Sequence, residues 1–257
     1  MKRFSRAYWN LLWRMTIAEF KLKDQGTLFG FVWTLLYPAL MFVVLYLMFT
    51  KWMSNSVENY PAYLLVGILQ WQFFEKITGS VLSSLYRASL VKNFRFPLEI
   101  LPFSVAGAVF LSYILETFVL LIFLYFLGTP PALAWLLTPI LMLGNLVFSL
   151  SIGMLLAMLA VEYRDMQRIW SILLMAGFFL TPIFYPLHIL SQDRQFILLF
   201  NPMLHVVDMF RVALTGSAMI SRTGVMLVLG FGVIELAILM MVFERRRGKL
   251  VDRILAP

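Results

Sequence analysis

The chain has 257 residues, of which 61% are hydrophobic and 13% are charged. Soluble domains contain roughly half apolar and a quarter charged residues, so this composition excludes an ordinary soluble globular protein and indicates a polytopic membrane protein. The chain contains no cysteine, which excludes disulfides and thiolate chemistry, and its net charge of +8 does not indicate nucleic-acid binding because the basic residues are placed as the positive-inside rule predicts.

The first 26 residues are predicted to form an amphipathic helix in the cytoplasmic interface. Apolar residues recur at helical spacing from Phe4 through Tyr8 and Met15 to Leu22, and basic residues cluster on another face. Such a helix turns its cations toward anionic lipid headgroups. Two interpretations stay open: a surface anchor, or a gate helix beside an entrance for a lipid-linked substrate with a pyrophosphate. The candidate gate residues are Arg3, Arg6, Arg14, Lys21 and Lys23.

Six apolar runs follow, each close to or above the roughly 20 helical residues that a hydrocarbon core of about 30 Å requires. Basic residues precede the first run and follow the last, which predicts that both termini are cytoplasmic. We therefore predict an all-α membrane protein with six transmembrane helices. The runs lie near residues 27–50, 61–84, 103–127, 133–160, 170–187 and 224–243.

Aromatic side chains recur where a substrate path could run. Trp33 and Tyr37 lie four residues apart on one face of the first run. Aromatic rings can stack on sugar rings, whereas the same spacing also suits helix packing, so both interpretations stay open. The candidate path residues are Trp33, Tyr37, Phe178, Tyr185, Phe196 and Phe200.

The cytoplasmic loop after the second run reads YRASLVKNFRFPLEILP, residues 86–102. It combines basic residues with Phe94 and Phe96 and is bounded by Pro97 and Pro102. A loop that only sets the orientation of the chain would not need this apolar and aromatic content. We favour an amphipathic element that docks on a soluble partner over a plain cytoplasmic loop. The candidate docking residues are Arg87, Lys92, Phe94, Arg95, Pro97 and Glu99.

Residues 178–211 are apolar but are interrupted by prolines and charges, among them Pro182, Pro202 and Arg211. A seventh span here would put the two basic ends of the chain on opposite faces of the membrane. Irregular backbone at membrane depth is tolerated only where protein buries it or where it lines a wet cavity. We therefore predict two short re-entrant helices at the external mouth of a translocation path.

These predictions divide one transmembrane domain, residues 1–257, into four parts. They are the interface helix at 1–26, spans 1 to 5 at 27–187, the periplasmic re-entrant region at 188–222, and span 6 with a basic cytoplasmic tail at 223–257.

Catalytic chemistry is not indicated. His188 and His205 occur singly without metal-ligand spacing, so no metal site is predicted, and the chain lacks a G-x-x-x-x-G-K-[ST] phosphate loop. Glu116, Asn145 and Glu235 lie near the middles of their runs and should face the protein interior or a wet channel. Structural hydrogen bonding is favoured for them over a proton relay.

Several stretches resemble the permease subunits of ABC-2 type transporters that export polysaccharides, and among these the O-antigen exporters most. FKLKDQGTLFGFVWTLLYP (20–38) keeps the family pattern at Lys23, Thr27, Gly30, Trp33 and Pro38 and departs from it at Asp24 and Phe29. VKNFRFPLEILP (91–102) resembles the coupling region, and YRDMQRIW (163–170) keeps an Arg-Asp pair. TPIFYP (181–186), NPM (201–203) and Arg211 follow in the family's order.

The resemblance implies a transport subunit of the bacterial inner membrane rather than an enzyme. It implies a homodimer that forms a channel and binds two copies of a cytoplasmic ATPase subunit, which holds ATP and Mg. This chain itself would carry no cofactor. The implied substrate is an undecaprenyl-pyrophosphate-linked polysaccharide, and the segment after the fifth span would form paired short helices at the periplasmic exit.

Two other functions stay open. A related ABC-2 type exporter of drugs or simple lipids would share six spans and a coupling loop. A proton-coupled secondary transporter would instead use Glu116 and Glu235 and would need no ATPase.

Overall fold

The computed structural model of the chain describes residues 5–24, 32–85, 97–216 and 222–255. All regular secondary structure within these ranges is helical. The α-helices are α1 (Arg6–Asp24), α2 (Val32–Met53), α3 (Tyr60–Ser84), α4 (Ile100–Phe126), α5 (Thr138–Glu162), α6 (Met166–Leu180), α7 (Gln192–Leu198), α8 (Pro202–Thr215) and α9 (Arg222–Leu255). Short 3-10 helices, Leu133–Leu137 and Leu187–Ile189, precede α5 and α7.

The predicted N-terminal helix is present as α1 and packs against α4. The Ser5 hydroxyl accepts a hydrogen bond from the Tyr8 backbone N–H at 3.2 Å, which caps the first turn. Tyr8 and Thr16 are buried. A Cβ added to Gly107 of α4 would lie 2.9 Å from the Thr16 side chain, so glycine permits this close helix contact.

Among the described residues, three helical stretches are long and apolar enough to cross a membrane by length and composition. They are α2, α4 and the 30-residue stretch Leu133–Glu162 that contains α5. The α7–α8 pair passes the same test only when taken together, and its two helices are bent by 94°. The composition of the described helices therefore supports three spans, or four if the bent pair counts as one.

Helix α3 is the centre of the bundle. It contacts α2, α4, α5, α6 and α8, and most of its 25 side chains are buried. Its first turn is tied to the end of α4, because Asn59 donates to the Leu127 carbonyl at 3.2 Å and to Thr129 Oγ1 at 3.0 Å. Helix α2 is the opposite case, since only Thr34 and Leu45 are buried along its length.

Helix α6 is shorter than the predicted fifth run. The sequence predicts a run at 170–187, whereas the helix starts at Met166 and ends at Leu180. Thr181 adopts an extended conformation, with φ −92° and ψ 134°. Proline at position 182 explains this end, because the residue before a proline is disfavoured in the helical conformation.

The bend between α7 and α8 is encoded locally. The Asn201 side chain accepts a hydrogen bond from the Met203 backbone N–H at 3.0 Å, and Pro202 occupies the first helical turn, where its missing N–H costs nothing. The Asn201 amide also donates to Thr181 Oγ1 at 2.8 Å. The start of α8 is thereby fixed to the end of α6.

Candidate functional site

A groove runs between α2, α3 and α6, and we call it the polar groove. It consists of two adjoining cavities of about 200 and 410 Å³ that share Tyr37, Gln72, Glu75, Ser171 and Leu174 in their walls. Its size is in the range of sites that bind small molecules or segments of larger ligands.

The polar wall of this groove comes mainly from α3. Gln72, Glu75, Lys76 and Ser80 line it and recur at intervals of three to four residues, so they occupy one face of the helix. The stripe extends about 12 Å along the helix axis at 1.5 Å per residue. These polar side chains face a cavity rather than the packed core.

Trp170 of α6 supplies an aromatic wall with a fixed orientation. Its indole Nε1 donates a hydrogen bond to Thr78 Oγ1 at 3.0 Å, and its ring lies 6.1 Å from the Phe74 ring in an edge-to-face arrangement. Both contacts are made to α3. The ring is therefore held in place without a ligand, as a stacking platform requires.

Lys76 forms an ion pair with Glu116. Lys76 Nζ lies 2.8 Å from Glu116 Oε1 of α4, and the Glu116 side chain is only 1% exposed. Glu235 Oε2 accepts a hydrogen bond from Ser151 at 3.1 Å. These contacts place the two acids that the sequence singled out in helix–helix contacts, as the structural interpretation expected.

Glu75 was missed by the sequence argument, which considered only Glu116 and Glu235 as acids inside the predicted spans. Glu75 is half-buried in both parts of the groove. In the described part of the chain, no hydrogen-bond donor and no ion-pair partner contacts its carboxylate. Because Glu75 lies near the middle of the predicted run 61–84, the sequence alone could have identified it as a candidate.

Two of the predicted path residues, Tyr37 and Phe178, line the polar groove. Trp33 lies one turn before Tyr37 on α2, is 53% exposed and does not line the groove. The structure thus brings α2 and α6 together at the groove but leaves the first aromatic residue of the predicted stripe on the outer surface of α2.

The remaining aromatic candidates lie beyond the groove. Tyr185 donates from its hydroxyl to the Phe179 carbonyl at 3.1 Å. Phe196 and Phe200, at α7 and just after it, pack edge to face with ring centroids 5.3 Å apart and are exposed. They form an exposed aromatic pair next to the bend.

Most of the predicted docking loop, including Arg87, Lys92, Phe94 and Arg95, lies outside the described residues. Pro97 is buried, and Glu99 is fully buried at the start of α4.

The structure describes the side chains of only some candidate gate residues of the N-terminal helix. Arg6, Arg14 and Lys21 are exposed on α1, whereas Arg3 and the Lys23 side chain lie outside what the structure describes.

The segment 181–186 after α6 is not helical, and side chains from other helices bind its carbonyl groups. Tyr60 donates from its hydroxyl to the Phe184 carbonyl at 2.9 Å, and Tyr63 donates to the Tyr185 carbonyl at 3.0 Å. These hydrogen bonds satisfy carbonyl groups that have no partner within a helix, as buried backbone groups require.

Arg211 of α8 completes this arrangement, which we call the carbonyl clamp. It donates to the carbonyls of Pro182 and Ile183 at 2.8 Å each and to that of Tyr63 at 3.3 Å, and its guanidinium carbon lies 3.4 Å from the centre of the Tyr63 ring. The residue is only 2% exposed. Gly67 makes room for it, because a Cβ there would lie 2.7 Å from Nη2.

No group of three or more His, Cys, Asp or Glu side chains converges into a metal site within the ranges that the structure describes. The polar groove offers hydrogen-bonding groups, aromatic side chains that include the fixed indole of Trp170, and a carboxylate. These groups can bind a polar ligand.

Comparison with known proteins identifies the family. The sequence profile of the ABC-2 type transporter family matches residues 10–215. The O-antigen export system permease protein RfbA of Myxococcus xanthus is 30% identical over 250 residues, which is 96% of each chain. RfbA of Klebsiella pneumoniae is 28% identical over 79% of each chain. The polysialic acid transport protein KpsM of Escherichia coli is 24% identical over 78% of this chain and 81% of its own.

These relatives and the apolar helices place the chain in the bacterial inner membrane as a multi-pass protein. The profile covers well over half of the chain, and a relative at 30% identity spans nearly all of it. The chain therefore belongs to the ABC-2 type transporter family.

Proposed function

We propose that the chain is the permease subunit of an ATP-driven exporter that moves a lipid-linked polysaccharide of the O-antigen type to the periplasm. The observation that carries this proposal is the polar groove, in which hydrogen-bonding side chains and a fixed indole line a cavity inside a membrane protein. Sugar hydroxyls can form hydrogen bonds with these side chains, and sugar rings can stack on the indole. The relatives named for polysaccharide export support the same substrate class.

We propose six spans, formed by α2, α3, α4, α5, α6 and α9, with both termini in the cytoplasm. Helix α3 is polar in its middle but, at 25 residues and 1.5 Å per residue, extends about 38 Å and is enclosed by other helices. The bent α7–α8 pair would be the re-entrant region at the periplasmic mouth. This topology agrees with the basic residues at both ends of the chain.

Two copies of the chain would form the channel, with their grooves facing a common path. The largely exposed surface of α2 supports this arrangement, because a second copy would cover its residues next to the groove. Each copy would bind one ATPase subunit through residues 86–102, and that subunit would hold ATP and Mg. The exposed cations of α1 would contact the pyrophosphate of the undecaprenyl-linked substrate before the glycan enters the groove.

The proposal is tested by export in cells whose own permease gene is deleted, with surface glycan measured by immunoblot. The wild-type chain should restore export, Trp170→Leu should abolish most of it, and Trp170→Phe should retain most because it keeps an aromatic face. Trp52→Leu is the matched control, since Trp52 is 70% exposed and does not line the groove. Normal export by Trp170→Leu at equal protein level would contradict the assignment of the groove.

Purification in mild detergent from the native host tests the partner. An ATPase that copurifies in near-equal amount is the expected result. A chain recovered alone, with transport that survives ATP depletion, would contradict an ABC exporter.

A further inference from the structure

The charge inside the polar groove has a consequence for the class of glycan. Glu75 and Lys76 of α3 line the groove, and Lys76 contacts Glu116 of α4, which lines a separate cavity. Lys76 Nζ lies 2.8 Å from Glu116 Oε1, so the one cation in the wall is already matched by a buried carboxylate. Together the three groups carry one net negative charge, and Glu75 is the carboxylate that lines the groove.

The neutral groups around Glu75 are suited to hydroxyls. Gln72 on α3, Gln167 and Ser171 on α6, and Tyr37 on α2 line the same cavity. Amides and hydroxyls both donate and accept, so they can bind any orientation of a sugar hydroxyl. A carboxylate accepts only, and its hydrogen bonds from hydroxyls are shorter and stronger than those of neutral acceptors.

An anionic glycan meets a different environment. Beside the protein walls of the groove, a fixed negative charge repels a carboxylate more strongly than the same pair would repel in bulk water, since the effective dielectric constant is lower. Lys76, the only cation among the described lining residues, attracts Glu75 but also lies 2.8 Å from Glu116, so one positive charge is shared by two carboxylates and cannot cancel both. If two copies face one path, the repulsion is doubled.

We propose that Glu75 is a specificity-determining residue that makes the polar groove select uncharged glycan chains over chains with a carboxylate in each repeat. This inference rests on the proposed function and adds a substrate class to it. Glu75 acts by accepting hydrogen bonds from sugar hydroxyls and by repelling uronic or sialic acid carboxylates. The exposed cations of α1 do not line the groove, so they can bind an anionic lipid carrier outside it.

The test uses the full-length protein in detergent and two soluble probes of equal length, maltohexaose and hexagalacturonate. Binding is measured by isothermal titration at pH 7 in low salt and again in 0.5 M salt. We expect the wild-type protein to bind maltohexaose at least about tenfold more tightly than hexagalacturonate, and higher salt to reduce that ratio.

Variants separate charge from shape. Glu75→Gln keeps the size and acceptor of the side chain, so maltohexaose binding should change less than about threefold while the preference for the neutral probe falls by about tenfold. Glu75→Lys should reverse the preference. Glu58→Gln, an exposed acid outside the groove, is the matched control and should leave both affinities unchanged.

Equal binding of both probes by the wild-type protein, or a preference that survives in Glu75→Gln, would overturn the inference. Binding of neither probe would also overturn it. If the same protein still restores glycan export in permease-deleted cells, the proposed function stands and only the role of Glu75 falls. If export also fails, both fall together.

Discussion

Replacing Arg211 with lysine should destabilise the chain strongly although the positive charge is kept. Arg211 is buried on α8 and donates three hydrogen bonds to backbone carbonyls, two in the segment 181–186 and one in α3. Guanidinium is a planar fork with five donors, whereas lysine ends in a compact ammonium that cannot occupy the same three positions. Asp208, three residues earlier and also buried, supplies the opposite charge in either case.

The magnitude follows from the number of bonds lost. A hydrogen bond that involves a charged group contributes about 1.5–3 kcal/mol. If lysine keeps one of the three, two are lost, and partial relaxation brings the expected cost to about 3 kcal/mol. For a chain of this size, 1 kcal/mol corresponds to roughly 2–4 °C, so Arg211→Lys should lower the midpoint of unfolding by about 10 °C.

The assay is thermal unfolding in one detergent, followed by size-exclusion chromatography with fluorescence detection. Arg194→Lys is the matched control, because Arg194 is exposed on the neighbouring helix α7 and the same chemical change should leave the midpoint unaltered. If Arg211→Lys unfolds within about 2 °C of the wild-type protein, the carbonyl clamp does not stabilise the fold and the reasoning from hydrogen-bond number is refuted.

Three further substitutions test neighbouring contacts by the same unfolding assay. Gly67→Ala adds a Cβ 2.7 Å from the Arg211 guanidinium and should lower the midpoint of unfolding. Gly79→Ala is its control, because no atom lies within 4 Å of the added Cβ, and it should raise the midpoint slightly or leave it unchanged. Equal effects of the two substitutions would contradict the close approach at Gly67. Lys76→Met removes the cation 2.8 Å from the buried Glu116 and should lower the free energy of unfolding by about 3 kcal/mol. Adding Glu116→Leu should restore most of that stability. If the effects of the two substitutions are instead additive, the pair is not coupled. Trp170→Phe loses the indole hydrogen bond and should cost about 1 kcal/mol, and no change would mean that this bond does not position the ring.

The sequence predicted the helices well where local pattern decides. Helical spacing indicated α1, and long apolar runs indicated α2, α4 and α5 within a few residues of their observed ends. The end of α6 was placed too late, because apolar composition continues past Leu180 while the backbone conformation changes before Pro182. Hydrophobicity alone does not register a change of backbone conformation.

The site depended on contacts that sequence spacing does not contain. Arg211 binds carbonyls 28, 29 and 148 residues away, and Lys76 pairs with an acid 40 residues away. Because such partners are found only in the folded bundle, the sequence could identify Arg211 as an unusual charge but not its role. That Lys76 pairs with Glu116 rather than with the adjacent Glu75 is likewise seen only in the folded bundle.

The carbonyl clamp and the Trp170 hydrogen bond together constrain how the groove can change shape. The clamp holds the segment after α6 against the start of α3, and the indole bond holds the beginning of α6 against Thr78 further along α3. Two walls of the groove are thus fixed to each other near both ends. Helix α2 forms the third wall, and like α6 it is buried at only two positions. Helix α3, most of whose side chains are buried, is therefore the most firmly packed wall of the groove, and it carries the polar side chains. A firmly packed polar wall suits a path that must keep its selectivity while a long chain advances through it.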